Sequence, residues 1–319
     1  MSLGRSLDGV TATHARPSTT TPVGPLTTHR WFGPILLANL VAEVLIIVTG
    51  GLVRLTGSGL GCPTWPQCVP GSYVPVREQA QGFHKYIEFG NRTLTGVLSI
   101  LAFAAVVAVW KWAPRRALKV ASVIVLVGVG VQALLGGLTV RMGLHPATVA
   151  AHFLISSVLV AAAAYLWFAR NEGDGEIQAL VPPLVSRAAW LTTAVAGVVL
   201  ALGTVVTGSG PHSGDADTPA RFGFDPRTIS WLHADAVMVF VGLVVAVWLA
   251  ARLTGVTERP ATAWTWVLGV TLAQGALGYV QYLTKLPEAL VLTHMLGAAL
   301  LVVALTNGLM ALRSRPAAG

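Results

Sequence analysis

Eight stretches of about 20 apolar residues follow one another along the chain, separated by short polar segments. They cover residues 31–53, 86–110, 118–140, 147–169, 187–207, 229–251, 262–282 and 288–311. At a rise of about 1.5 Å per residue, a helix of this length crosses the hydrocarbon core of a bilayer. Because backbone polar groups in lipid must be satisfied within the segment, each stretch is predicted to be helical. The pattern therefore predicts an all-α, polytopic membrane protein with eight transmembrane helices.

Polar residues inside these stretches reveal an internal repeat. His233, Gln274 and His294 lie 41 and 20 residues apart, in the last three predicted helices. A second set with the same spacing lies 142 positions earlier and consists of Asn91, Gln132 and His152. A repeat of this kind indicates a duplicated structural unit. The eight helices are therefore predicted to form two repeated four-helix bundles.

The repeat suggests a division of the chain. Residues 31–170 are predicted to form an N-terminal half, and residues 187–312 a C-terminal half. Residues 171–186 would link them. Residues 1–30 are polar and rich in Thr and Pro, which predicts a disordered tail, and 313–319 would form a second tail.

Composition agrees with a membrane protein, since 54% of residues are hydrophobic and only 11% are charged. The net charge of +8 does not require a nucleic-acid partner, because the basic residues follow the predicted topology. Thirteen Lys and Arg residues lie on the side of the termini and eight on the other, with a basic cluster in the loop 111–119. Positively charged loops face the cytoplasm. The chain is therefore predicted to lie in the cell membrane with both termini cytoplasmic and the lipid bilayer as its environment.

The two cysteines, Cys62 and Cys68, fall in the first outer loop of this topology. That compartment is oxidising, so a disulfide can form there. A metal site is the alternative, but zinc sites use four ligands and commonly a closer cysteine spacing. The disulfide is the favoured interpretation.

Three histidines are candidate metal ligands. His152, His233 and His294 each lie four to six residues inside the outer end of an even-numbered predicted helix. That places them about 6–9 Å below the membrane boundary. A single histidine there could simply bond a carbonyl group, but polar side chains in hydrocarbon are costly. Three at a common depth favour ligation of haem iron.

The two halves differ in their ligands. His233 and His294 can supply both axial nitrogens of a permanently bound haem, whereas the first half offers only Asn91 opposite His152. The first half is therefore expected to hold a haem with one strong protein ligand that can be exchanged.

Glu88 lies three residues before Asn91 and shares its helix face. Its counterpart in the second half is Ser230, so the carboxylate occurs only beside the exchangeable haem. It is a candidate for proton transfer or for stabilising a cationic intermediate. An ion pair with Arg92 is an equally good and compatible interpretation.

Other charged residues leave two interpretations open. Arg54, Arg92 and Arg141 lie near the outer ends of spans and could bind haem propionates or extend to lipid headgroups. Glu43 lies mid-span in the first helix, with Asn39 one turn earlier as its only candidate partner. An intramembrane carboxylate is a functional candidate.

Four motifs carry a family resemblance. They are Gly-Gly-Leu-Val-Arg-Leu-Thr-Gly-Ser-Gly-Leu-Gly-Cys-Pro-Thr-Trp-Pro-Gln-Cys at 50–68, Ile-Glu-Phe-Gly-Asn-Arg at 87–92, Ala-His-Phe at 151–153, and the late histidines. On these motifs the chain resembles the haem A synthase family over nearly all of residues 31–312. That family converts haem O to haem A for cytochrome oxidase.

The resemblance implies roles for individual residues. His233 and His294 would bind haem b in the C-terminal half, while Glu88 and His152 would belong to a catalytic site for haem O in the N-terminal half. A disulfide would join the two cysteines of the first outer loop.

The resemblance also implies the chemistry. A methyl group of haem O would be oxidised to a formyl group with oxygen from water, and electrons would pass to an acceptor that the sequence does not identify. Haem O synthase, a farnesyltransferase, would be the expected partner that supplies the substrate.

The chain departs from the family pattern at two places. Asn91 replaces the histidine of a Glu-x-x-His-Arg motif, and residues 208–228 contain no second cysteine pair. A membrane cytochrome b that only transfers electrons or carries haem is the alternative function. Glu88 and the missing fourth histidine favour the enzyme, since an electron carrier is expected to keep two histidines per haem.

Overall fold

The computed structural model describes residues 29–212, 214–215 and 219–317, and these residues are almost entirely helical. Its long helices are α1 (Phe32–Leu55), α2 (His84–Trp112), α3 (Arg116–Arg141), α4 (Pro146–Ala169), α5 (Pro183–Ser209), α6 (Pro226–Thr254), α7 (Glu258–Leu283) and α8 (Glu288–Ala311). Each matches one predicted span. Seven helices of the described chain are long and apolar enough to cross a membrane. The eighth, α7, carries more polar residues and packs between α6 and α8. The chain is a multi-pass membrane protein.

The duplication predicted from spacing is confirmed by the helix bounds. A shift of 142 positions converts the bounds of α2, α3 and α4 into those of α6, α7 and α8. The turns between the last two helices of each half also match. Gly143 and Leu144 have φ of 59° and 58°, and Lys285 and Leu286 have 64° and 61°. Non-glycine residues rarely adopt positive φ, so positive φ angles at equivalent positions show that the two turns have the same backbone conformation.

The first bundle consists of α1–α4 and the second of α5–α8. Neighbouring helices pack in sequence, and α1 with α4 and α5 with α8 close the two bundles. The halves meet because α8 packs against α1 and α4, and α4 packs against α5. Alanines at the contacts, among them Ala102, Ala105, Ala163 and Ala164, are fully buried. Small side chains of this kind let helix backbones approach closely in membranes.

Helix starts explain why several predicted boundaries were too late. Asp225 precedes α6, and its carboxylate accepts hydrogen bonds from Thr228 N (2.8 Å) and Thr228 Oγ1 (2.7 Å). These bonds lower the pKa of Asp225. Pro226 and Pro183 occupy the first helical turns of α6 and α5, where proline is favoured. Apolar runs do not include such capping residues.

The segments predicted as linker and C-terminal tail pair with each other. β1 (Gln178–Ala179) and β2 (Arg313–Ser314) form a short antiparallel sheet. Beside this sheet, Glu172 forms ion pairs with Arg115 and Arg313. Its Oε2 atom is 3.0 Å from Arg115 Nη2 and 3.6 Å from Arg313 Nη2. The linker is therefore shorter than expected, because α5 begins inside the predicted range 171–186. Of the predicted tail 1–30, residues 1–28 lie outside the described residues.

Candidate functional site

The three candidate histidines lie near one end of the helical assembly. The loop between α1 and α2 carries a disulfide between Cys62 and Cys68 at this end, which we call the disulfide end, and the predicted bridge is confirmed. Helices α4, α6 and α8 all begin here. His152, His233 and His294 follow six or seven residues after those starts, about 9–11 Å along each helix.

Each of these rings lacks a protein partner at one nitrogen. The rings are half-buried, and the Nδ1 atom of each is buried without a hydrogen-bond partner among the described residues. A buried polar atom without a partner requires an explanation such as a bound group. Imidazole is a usual axial ligand of haem iron, so these side chains suit that role.

A glycine on a neighbouring helix lies against each ring. A Cβ atom placed on that glycine would be only 3.3–3.6 Å from the Cε1 atom of the histidine. The pairs are Gly136 with His152, Gly203 with His233, and Gly278 with His294. The absence of a side chain at these positions lets each imidazole pack closely on the neighbouring helix.

Glutamines hold the backbone of the two equivalent histidines. Gln132 Nε2 donates to the carbonyl oxygen of His152 (2.7 Å) and to Ser156 Oγ (2.5 Å). Gln274 Nε2 donates to the carbonyl oxygen of His294 at 3.0 Å. The spacing of 20 residues in the sequence therefore corresponds to a glutamine–histidine contact that occurs within each half of the repeat.

His233 and His294 occupy α6 and α8, which are separated by α5 and α7. His233 lies against Gly203 of α5, and His294 lies against Gly278 of α7. The two histidines predicted as haem ligands therefore lie on different helices of the second bundle, seven and six residues after the helix starts at the disulfide end.

Asn91 occupies the position of His233 in the first bundle. Its Oδ1 atom accepts a hydrogen bond of 2.8 Å from Thr49 Oγ1 on α1. The first bundle therefore has an imidazole on α4 and a carboxamide on α2, with the carboxamide already bonded to a neighbouring helix.

Glu88 and Arg92 bind the disulfide loop. Glu88 is only 5% exposed. One of its oxygens accepts from Arg92 Nη2 (2.5 Å) and Nε (3.0 Å), and the other accepts from the backbone N–H of Cys62. The ion pair that the sequence left as an alternative is present in the structure.

The remaining donors of Arg92 point to loop carbonyls. Nη2 donates to Cys62 O (2.8 Å), and Nη1 donates to Thr64 O (3.0 Å) and Gln67 O (3.4 Å). All five N–H groups of the guanidinium therefore have acceptors within the protein. In this arrangement Arg92 secures the loop beside Glu88.

The other charged candidates differ in their surroundings. Arg54 donates to the carbonyl oxygens of His212 (2.6 Å) and Thr207 (2.8 Å), which ties α1 to the end of α5. Arg141 is exposed. His84 lies at the disulfide end, where its Nδ1 atom is 2.8 Å from Ser58 Oγ.

Glu43 and Asn39 are buried in the middle of α1. They are 1% and 0% exposed. Glu43 Oε1 and both polar atoms of the Asn39 side chain have no hydrogen-bond partner among the described residues. The sequence suggested Asn39 as the partner of Glu43, and no hydrogen bond joins these two described side chains.

Comparison with known proteins places the chain in a family. The family model for COX15-CtaA, described as "Cytochrome oxidase assembly protein", matches residues 33–306. The chain belongs to the COX15-CtaA family. The matched COX15-CtaA region includes the disulfide loop, Glu88 and all three candidate histidine ligands.

Several relatives of this COX15-CtaA chain are named "Heme A synthase". One from Lysinibacillus sphaericus (strain C3-41) is 29% identical over 292 residues, which cover 85% of this chain and 91% of the relative. One from Bacillus cereus (strain G9842) is 26% identical over 281 residues, covering 84% and 88%. One from Bacillus pumilus (strain SAFR-032) is 36% identical over 157 residues, covering 47% and 48%.

Proposed function

We propose that this protein is a haem A synthase, an oxidoreductase that converts a methyl group of haem O to a formyl group for cytochrome c oxidase. The observation that carries the proposal is the difference between two otherwise equivalent bundles. The second has histidines on both α6 and α8, while the first has His152 on α4 but Asn91 and a buried carboxylate, Glu88, on α2. The names of the relatives support the same activity.

The C-terminal half would hold haem b through His233 and His294. The unpartnered Nδ1 atoms and the facing glycines suit that role. When bound, a haem with two imidazole ligands supplies one-electron transfer. The protein's own contribution is to fix the two rings on opposite helices, with Gln274 holding the backbone turn that presents His294.

The N-terminal half would bind haem O as substrate through His152. Asn91 occupies the position that a second histidine has in the other half, so only one strong ligand would hold the substrate haem. The product haem could therefore dissociate after the reaction. Glu88 would accept a proton from the water that adds to the oxidised methyl carbon. Arg92 keeps Glu88 in place and holds the loop next to it. In the net reaction one water oxygen enters, and equal numbers of protons and electrons leave.

We further propose that the protein lies in the cell membrane with both termini in the cytoplasm. Haem O is made by a farnesyltransferase, haem O synthase, which would act immediately before this protein. Haem b held by His233 and His294 would supply one-electron transfer for this oxidation.

The decisive test is pigment analysis. Membranes from cells that make haem O but no haem A are compared with and without this protein, and extracted haems are identified by mass. Formyl haem is expected only with the wild-type protein, and not with His152→Ala. Membranes that gain bound haem b but no formyl haem would overturn the proposal and identify a cytochrome b carrier instead.

A further inference from the structure

Trp65, in the middle of the disulfide loop, packs directly on α3. A Cβ atom added to Gly137 would collide with Cδ2 and Cε2 of the Trp65 indole. The indole therefore occupies the space that a side chain at position 137 would fill. Only glycine permits this approach of loop and helix.

This contact lies at the depth of the candidate iron ligand. Gly137 directly follows Gly136, which lies against His152. A Cβ atom added to Gly136 would be 3.5 Å from the Cε1 atom of His152. Adjacent residues of a helix differ in depth by only about 1.5 Å. The Trp65 ring thus contacts α3 at nearly the same depth as His152 does.

The loop that carries Trp65 is held on both sides. On α2, Glu88 accepts the N–H of Cys62, and Arg92 donates to the carbonyl groups of Cys62 and Thr64. On α3, Trp65 packs on Gly137. The loop therefore extends from α2 to α3 across the disulfide end of the first bundle, with its ends joined by the disulfide.

The second bundle lacks the residues that hold this loop. The shift of 142 positions puts Ser230 in place of Glu88, Ala234 in place of Arg92, and Tyr279 in place of Gly137. Tyr279 is 63% exposed. Since α6, α7 and α8 form without these three residues, the equivalent helices of the first bundle do not require Trp65 against α3.

We propose that Trp65 is a positioning residue for the substrate porphyrin, an inference that rests on the proposed function. A porphyrin bound through one imidazole can rotate about the bond between iron and nitrogen. The periphery of haem O is asymmetric, so this rotation decides which substituent comes next to Glu88. The indole, fixed against Gly137, contacts one edge of the macrocycle and selects the orientation that presents the reactive methyl group. Aromatic surfaces favour offset or edge contacts of this kind.

Titration of the purified holoprotein with haem O tests the proposal without relying on turnover. Trp65→Leu removes the aromatic ring, and Gly137→Ala displaces it by adding one methyl group. Gly130→Ala is the matched control, because it lies on the same helix and an added Cβ meets no atom within 4 Å. Both test variants are expected to weaken haem O binding about tenfold. Gly130→Ala and Trp65→Phe, which keeps an aromatic ring, should bind nearly as well as wild type.

Two further readouts distinguish positioning from general damage. The low-spin haem b spectrum of the C-terminal half should be unchanged in every variant. With Trp65→Leu, formyl haem should form more slowly, and mass and fragmentation analysis should show oxidation at methyl positions other than the native one.

The outcomes separate the inference from the proposed function. If the wild type makes no haem A, the proposed function fails. The contrary outcome is an active wild type that Trp65→Leu and Gly137→Ala match in haem O affinity and in the position of the formyl group. That result would show that Trp65 does not position the substrate. Should Trp65→Leu fail to accumulate in membranes, Gly137→Ala against Gly130→Ala decides the question alone.

Discussion

At the scale of single residues, both bundles present a histidine through the same three-residue unit. In each, a glutamine of the preceding helix bonds the histidine carbonyl and a glycine of that helix lies against the ring: Gln132, Gly136 and His152, then Gln274, Gly278 and His294. The glutamine fixes the helical turn that carries the ligand. The glycine lets the imidazole pack closely on that helix. The difference in the second candidate ligand lies on the opposite helices, with Asn91 on α2 and His233 on α6.

Replacing either histidine of the second bundle should remove the permanent haem. His233→Ala or His294→Ala leaves one axial imidazole, so we expect the low-spin spectrum of purified protein to be lost. His145→Ala is the control, since this exposed residue only caps α4. An unaltered low-spin spectrum in one of the two variants would show that the replaced residue is not a ligand.

Glu88 has a structural contact and a proposed chemical role, and Glu88→Gln separates them. Glutamine keeps the size of the side chain and can still accept the N–H of Cys62. It cannot take up a proton, so haem A formation should fall about 100-fold or more while haem b remains bound.

Arg92→Lys provides the comparison for Glu88→Gln. It keeps the carboxylate but loses the forked contacts to Glu88 and the loop carbonyls. Its loss of activity should be smaller. A fully active Glu88→Gln protein would limit Glu88 to its ion pair with Arg92.

The spacing of residues along the sequence singled out the three candidate histidines and the possible ion pair between Glu88 and Arg92. It did not reveal the contacts of these two residues with the disulfide loop. The acceptors of Arg92 are largely backbone carbonyls, which no sequence pattern reveals. The contact of Trp65 with Gly137 depends on the conformation of a loop relative to a helix 72 positions away. A glycine that follows another glycine on a membrane helix was the one available signal, and glycine is too frequent in such helices to be specific.

At the scale of elements, α1 buries polar side chains at a cost in folding free energy. Its buried face includes Leu36, Leu40 and Ile47, but also Asn39 and Glu43. Both amide atoms of Asn39 and the Oε1 atom of Glu43 lack a hydrogen-bond partner among the described residues. The sequence alone reveals the buried carboxylate, because a charge inside an apolar stretch is conspicuous. It could not recognise the missing partner, since that depends on which helices pack against α1.

Glu43→Leu should raise the thermal stability of the protein and lower its activity. Removing an unsatisfied buried polar group is worth about 1–3 kcal/mol, so the thermal unfolding temperature in detergent should rise. Haem A formation should fall, because an intramembrane carboxylate retained at such cost is expected to be functional. Glu43→Gln is the control and should give no gain in stability. A lower unfolding temperature for Glu43→Leu would mean that the carboxyl group makes a stabilising contact.

At the scale of the whole molecule, the two ends of the assembly are held in different ways. At the disulfide end, Arg54 reaches α5 and the N–H of Gly59 donates to the carbonyl of Gly214 (2.9 Å), so the halves are joined by loops. At the opposite end, the β1–β2 pair and the Glu172–Arg313 ion pair join the linker to the segment after α8. Glu172 also pairs with Arg115 at the start of α3. The order of helices followed from the apolar pattern. These ties did not, because they connect segments distant in sequence through backbone groups.

The orientation of the molecule rests on two independent arguments that agree. The predicted topology assigns thirteen Lys and Arg residues to the side of the termini and eight to the disulfide side, which favours a cytoplasmic position for the termini. Separately, a disulfide forms in an oxidising compartment, which favours a position of the Cys62–Cys68 loop outside the cytoplasm. Truncated fusions to an enzyme that is active only outside the cytoplasm should therefore be active after Tyr73 and inactive after Glu176, both exposed positions. A reporter active only in the cytoplasm should give the opposite pattern as a control. If the first reporter worked after Glu176 and failed after Tyr73, the proposed orientation would be wrong, and the disulfide would have to form in a reducing compartment.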